Sequence, residues 1–107
     1  MANFMQMMQK AQQVKQKMQD MQERAEALEV TGDAGGGAVV CHMNGKFAVS
    51  KITIAPTALA GGDAEMLEDL ILVALKDARG KAEGIIKEET DRIMKEMGLP
   101  PGLGLPF

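Results

Sequence analysis

Residues 38–56 read AVVCHMNGKFAVSKITIAP, and the fold turns on how that stretch is paired. Asn44-Gly45 is a strong hairpin signal, because both central residues of a type I′ turn need positive φ. A two-residue turn there pairs Met43 with Lys46, Cys41 with Ala48 and Val39 with Ser50. Side chains alternate along a strand. One face then carries Val39, Cys41, Met43, Ala48, Ile52 and Ile54, and the other carries Val40, His42, Phe47, Val49, Lys51 and Thr53. A sheet covered on one side shows a polar second face. Here that face is half apolar, so Val40, Phe47 and Val49 are expected to meet a second copy of the chain.

Upstream, Leu28-Glu29-Val30-Thr31 alternates as a further strand, which Gly32-Asp33 and Gly35-Gly36-Gly37 are expected to break. Downstream, Pro56 ends the third strand, and Gly61-Gly62 leads to Asp63, an N-cap for a second helix with Glu65, Glu68 and Asp69 near its positive end.

Helical periodicity flanks this block on both sides. Phe4, Met7, Ala11, Val14, Met18, Met21, Ala25 and Leu28 alternate steps of three and four, the seam of a helix that packs on another helix. Asn3 and Gln6 resemble a capping box at its start. The seam is thin, since Ala brings little area and Met is flexible, so this helix needs a partner surface. The second helix carries Leu67, Leu70, Ile71, Ala74, Ala78, Ala82, Ile85, Ile93 and Met97 on its apolar stripe. Asp77–Lys81, Glu83–Lys87, Glu88–Arg92 and Asp91–Lys95 are acid-first pairs on its exposed side. Gly98 stops it. The expected class is therefore α+β: an α-β-β-β-α protomer, an antiparallel three-stranded sheet with two long helices. One domain spans residues 1–98, and residues 99–107 form an extended Leu/Pro/Gly tail.

A second helix of about 34 residues is about 50 Å long. A compact domain of this size is only about 34 Å across, from a radius of gyration near 13 Å. The overhang, the thin seam and the two-sided sheet together predict a homodimer.

The 107 residues and 11.5 kDa allow one modest core. Three Phe, no Trp and no Tyr argue against a base-stacking platform. A single Cys excludes an intramolecular disulfide framework. No apolar run approaches a membrane span, and no basic segment precedes an apolar stretch at the N-terminus, so a reducing cytoplasm is the expected compartment. The net charge of −3 is unevenly spread: residues 1–25 carry +2, residues 26–62 carry −1 and residues 63–107 carry −4.

Catalytic chemistry has little to stand on. Cys41 and His42 are adjacent on a strand, so they face opposite ways and form no thiol–imidazole pair. No metal-ligand spacing is visible, and the Gly32–Gly37 run lacks a Lys-Ser/Thr ending and a following helix, so it reads as a turn. No enzyme, cofactor, membrane or small-molecule substrate is expected. The notable constellation is Lys10, Lys17 and Arg24, one heptad apart on the first helix, with Lys15 on the other flank. Cations about 10 Å apart along a helix match a track of phosphates. They equally suit seam-flanking charges paired with acids of the second helix, and the residues alone favour that second reading.

Several segments in order resemble the YbaB/EbfC family of small bacterial nucleoid-associated proteins. They are Met-Gln-Lys-Ala-Gln-Gln (8–13), Leu28-Glu29-Val30-Thr31-Gly32, Asn44-Gly45 and Ile52-Thr53-Ile54-Ala55-Pro56. Glu65-Met66-Leu67-Glu68-Asp69-Leu70, Leu99-Pro100-Pro101-Gly102 and Pro106-Phe107 complete the match, which runs nearly end to end. The resemblance implies an intertwined homodimer with protruding helices, located in the cytoplasm at the nucleoid. It implies binding of double-stranded DNA with little sequence preference, altered DNA conformation, and an influence on nucleoid organisation and gene expression. On that resemblance the DNA contacts fall on the protruding helices, at Lys10, Lys15, Lys17 and Arg24 and then Lys76, Arg79 and Lys81. Where members often carry a basic cluster in the third strand, this chain has Lys46 and Lys51. Where an acidic residue commonly precedes the proline, it has Ala55 before Pro56. The alternative is a protein-interaction adaptor that uses the Met-rich seam or the C-terminal tail.

Overall fold

The computed structural model of the chain describes residues 2–98; the expected tail, 99–107, lies outside the described residues. The elements run α1 (Ala2–Ala27), β1 (Glu29–Ala34), β2 (Val39–Asn44), β3 (Val49–Ile54), α2 (Pro56–Leu59) and α3 (Ala64–Glu96). The strands form one antiparallel sheet in the order β1-β2-β3.

The core lies between the sheet and α3. Ala74, Ala78 and Ala82 are fully buried against Val30, Ala34, Val39, Cys41 and Met43. Three alanines on one face let the helix axis come close to the strands, and one strand residue must then lack a side chain. That residue is Gly32, where a Cβ would collide with backbone atoms of Ala74 and Ala78. This corrects the sequence reading of Gly32-Asp33 as a break: β1 runs straight through both residues, because glycine here provides closeness and not a turn. The turn comes at Gly35, Gly36 and Gly37, all at positive φ (62°, 67° and 95°).

The β2–β3 register also departs from expectation. Cys41 pairs with Ile52 and Val39 with Ile54, and a bulge at His42/Met43 sets Met43 opposite Val49. Gly45 is not at positive φ; Phe47 is, at 68°. Asn44 organises the longer loop, its side-chain oxygen accepting from the N–H groups of Lys46 (2.8 Å) and Ala48 (3.0 Å). Gly45 instead abuts α1, donating its N–H to the Ala25 carbonyl at 2.8 Å. The loop conformation therefore serves the docking of α1. Away from the bulge the slip is four residues, an even number, so Val39, Cys41, Ile52 and Ile54 keep their core-facing side. Ala48, expected with them, is exposed.

Pro56 does more than end a strand, since it sits in the first turn of the short α2, an element absent from the sequence reading. Asp63 caps α3 as expected, accepting from the Met66 N–H at 3.1 Å. Asn3, by contrast, lies inside α1 and is not its cap.

α1 and the C-terminal part of α3 run antiparallel as a two-helix arm. Met21 is buried with Ile93 and Met97, and Val14, Met18 and Ile86 pack beside them. The overhang expected to seek a second chain is thus met in part within the protomer. The arm stretches the molecule to 71 × 21 × 17 Å, with a radius of gyration of 19.2 Å.

Candidate nucleic-acid interface

The four cations of α1 fall into two classes. Lys17 pairs with Glu96 at 2.9 Å, and Arg24 reaches Glu89 at 3.6 Å. The ion-pair reading of these two residues is therefore what the arm displays. Both pairs are solvent-exposed on the cation side, where water and salt weaken the attraction. Lys10 and Lys15 are exposed and, among the described residues, form no ion pair. Lys10 stands at the far end of the arm beside Gly98, and Lys15 on the outer flank of α1.

Arg24, Lys17 and Arg92 share one groove with Asp20, Glu89 and Glu96. Each sign is represented three times there, so the groove is locally balanced. Arg92 is not among the contacts expected from sequence; it hydrogen-bonds Glu89 at 3.0 Å, one turn away. A clue lies in the spacing, since Glu89 and Glu96 are one heptad apart, as are Lys17 and Arg24. The Lys17 hydrogen bond and then its charge hold the Glu96 carboxyl below its usual range.

The three α3 cations behave differently. Lys81 donates to the Thr31 carbonyl at 3.0 Å and stands 3.3 Å from Asp77, while Asp77 accepts the Asp33 N–H at 3.0 Å. Lys81 and Asp77 thus cover backbone groups along the outer edge of β1, which would otherwise be open for pairing. The Asp33 N–H, and then Lys81, lower the pKa of Asp77. Arg79 pairs with Glu83 at 2.9 Å, and its guanidinium lies 5.0 Å from the Phe47 ring centre. Lys76 is exposed. Of the expected acid-first pairs Asp77–Lys81 forms, whereas Glu83 is taken by Arg79 and Arg92 by Glu89.

Phe47, expected on the far face of the sheet with Val40 and Val49, turns toward the helices instead. With Met21, Gln22, Ala25, Lys46 and Ile86 it lines an apolar groove of about 360 Å³. The physical reason is the positive-φ turn at Phe47, which redirects the side chain toward Arg79. Val40 is half-buried and Val49 exposed. Cys41 is buried in the core, and burial raises its thiol pKa. His42 points the other way, its Nδ1 donating to the Glu29 carboxylate at 2.8 Å. Among the described residues, no group of His, Cys, Asp and Glu is arranged to hold a metal ion, and no helix is long and apolar enough to cross a membrane.

Comparison with known proteins places this geometry. Residues 1–97 match the sequence profile of the YbaB/EbfC DNA-binding family. A nucleoid-associated protein of a Bradyrhizobium species is 47% identical over 104 residues, covering 97% of this chain and 98% of that protein. A nucleoid-associated protein of Rhodopseudomonas palustris is 43% identical over 105 residues, covering 98% and 99%. In fold, the chain is similar to the crystal structure of an uncharacterized protein from Helicobacter pylori. The TM-score is 0.70 at 21% identity, over 78% of this chain and 88% of that one.

Proposed function

Because the chain belongs to the YbaB/EbfC DNA-binding family, we propose that it is a nucleoid-associated protein binding double-stranded DNA as a homodimer with little sequence preference. In this reading it acts in the cytoplasm at the nucleoid, alters DNA conformation, and so influences nucleoid organisation and gene expression. The observation that carries the reading is the projecting arm, on which α1 presents Lys10, Lys15, Lys17 and Arg24. A helix with cations one heptad apart meets phosphates about every 10 Å, and such contacts position a protein without reading sequence. Lys17 and Arg24 exchange an exposed carboxylate for a phosphate, whereas Lys10 and Lys15 have no carboxylate to give up among the described residues. Lys76 and Arg79 are secondary contacts. Lys81 is the weakest candidate, since its ammonium is committed to Thr31 and Asp77.

Apolar surface left open on the protomer supports the homodimer. α3 lies over β1 and β2, so Ile52 and Ile54 of β3 remain only partly covered. Val49, Phe47, Leu72 and Val73 are exposed nearby or along α3. Val40, Phe47 and Val49 are proposed interface residues, with Phe47 contributing from the helix side of the sheet.

A gel-shift series over salt concentration on unrelated duplexes tests the reading, with light scattering for mass. Affinity is expected to fall steeply with salt, to differ little between sequences, and to drop for the Lys10→Ala/Lys17→Ala/Arg24→Ala variant with the dimer intact. Wild-type binding by that variant would exclude the arm as the contact surface.

A further inference from the structure

The seam of α1 is covered along only part of its length. Met21 and Ala25 are buried, but toward the N-terminus Phe4, Met7 and Met8 are 67%, 69% and 51% exposed. With Ala11, also exposed, they form one stripe on the helix. The stripe continues the covered seam, since Phe4, Ala11, Met18 and Ala25 succeed one another at heptad steps. A stripe this apolar left in water calls for an occupant.

The described chain ends beside it. α3 stops at Gly98, whose φ of 70° and N–H bond to the Lys95 carbonyl at 3.1 Å turn the backbone off the helix axis. A Cβ at Gly98 would lie 3.9 Å from Nζ of Lys10, so the chain leaves α3 next to α1, within one helical turn of Met7 and Ala11 in sequence. Beyond Gly98 comes Leu99-Pro100-Pro101-Gly102-Leu103-Gly104-Leu105-Pro106-Phe107, uncharged, with apolar side chains at Leu99, Leu103, Leu105 and Phe107. Pro100 and Pro101 prevent the helix from resuming. Nine residues reach at most about 30 Å, while Phe4 to Ala11 spans about 10 Å of helix. We propose that residues 99–107 pack in extended form on the Phe4/Met7/Met8/Ala11 stripe of their own α1. The tail thereby completes a seam that α3 is too short to cover. The proposal does not depend on the DNA-binding reading.

Methionine-methyl NMR tests it, comparing the full chain with one ending at Gly98 and with a Leu103→Asp/Leu105→Asp variant. Both variants are expected to move the Met7 and Met8 methyl signals toward those of a solvent-exposed methionine, while Met21 and Met94, buried in the arm, stay in place. Unmoved Met7 and Met8 signals would overturn the proposal. Equal movement of Met21 and Met94 would also overturn it, by giving the tail a general role in folding the arm. Labelled truncated chain is then mixed with unlabelled full chain. Unchanged truncated-chain signals support packing within one chain, and recovery of the full-length Met7 and Met8 signals would assign the tail to a second copy and overturn the proposal.

Discussion

Lys17 and Glu96 lie far apart in the chain and meet at 2.9 Å, with Arg24 and Glu89 in the same relation one heptad along. Seven residues up α1 correspond to seven down α3, so the helices are antiparallel and their charges in register. This relationship holds the arm's order and also holds two of its four α1 cations in reserve.

Releasing those cations strengthens phosphate binding. Glu89→Gln with Glu96→Gln is expected to raise duplex affinity and to steepen the slope of log affinity against log salt by about 0.9 for each additional phosphate bound. An unaltered slope would show that Lys17 and Arg24 do not reach DNA.

The same carboxylates set the acid limb of stability. Glu96 and Asp77 both titrate below their ordinary values of 4.5 and 3.8 in the folded chain. A depressed folded pKa stabilises the fold above the unfolded pKa, and that contribution is lost as pH falls through the folded value. Stability is therefore expected to decline below about pH 4, the unfolded carboxylate range. Asp77→Asn and Glu96→Gln should each flatten the decline in urea melts taken from neutral pH into acid.

Gly32→Ala is expected to destabilise the domain by at least about 1–3 kcal/mol, the usual cost of forcing extra volume into a packed core. The colliding atoms are helix backbone, which has no rotamer to retreat into. Gly61→Ala serves as the control, because nothing stands within 4 Å of a Cβ there and its φ is not positive. Equal denaturation midpoints for the two variants would refute the close approach of α3 to β1.

Cys41 is fully buried and its thiol pKa is raised by burial. Reaction with an aromatic disulfide reagent is expected to be very slow in the native protein and to accelerate along the unfolding transition. Rapid labelling under native conditions would mean that the sheet opens locally between β2 and α3.

The order of helices and strands is legible in the sequence because each element carries its own period. The seam from Phe4 to Leu28, the alternation at Val39, Cys41 and Met43, and the Asp63 cap depend on residues near one another in the chain. The cations at Lys10, Lys15, Lys17 and Arg24 can be placed on one helix for the same reason. Gly32, Gly45 and Phe47 cannot be read that way. Each has a conformation set by an element distant in sequence: Gly32 by the backbone of α3, Gly45 by the end of α1, and Phe47 by Arg79 and the groove behind it. Gly32-Asp33 and Asn44-Gly45 both resemble turn signals, yet in each the glycine serves close approach. Nor can sequence decide which cations are paired, since Lys17–Glu96 and Arg24–Glu89 exist only once the arm has formed. Local pattern determined the elements and the candidate residues. Tertiary packing decided the register, the direction of Phe47 and the free charge on the arm, because steric exclusion and ion pairing act between atoms that only the fold brings together.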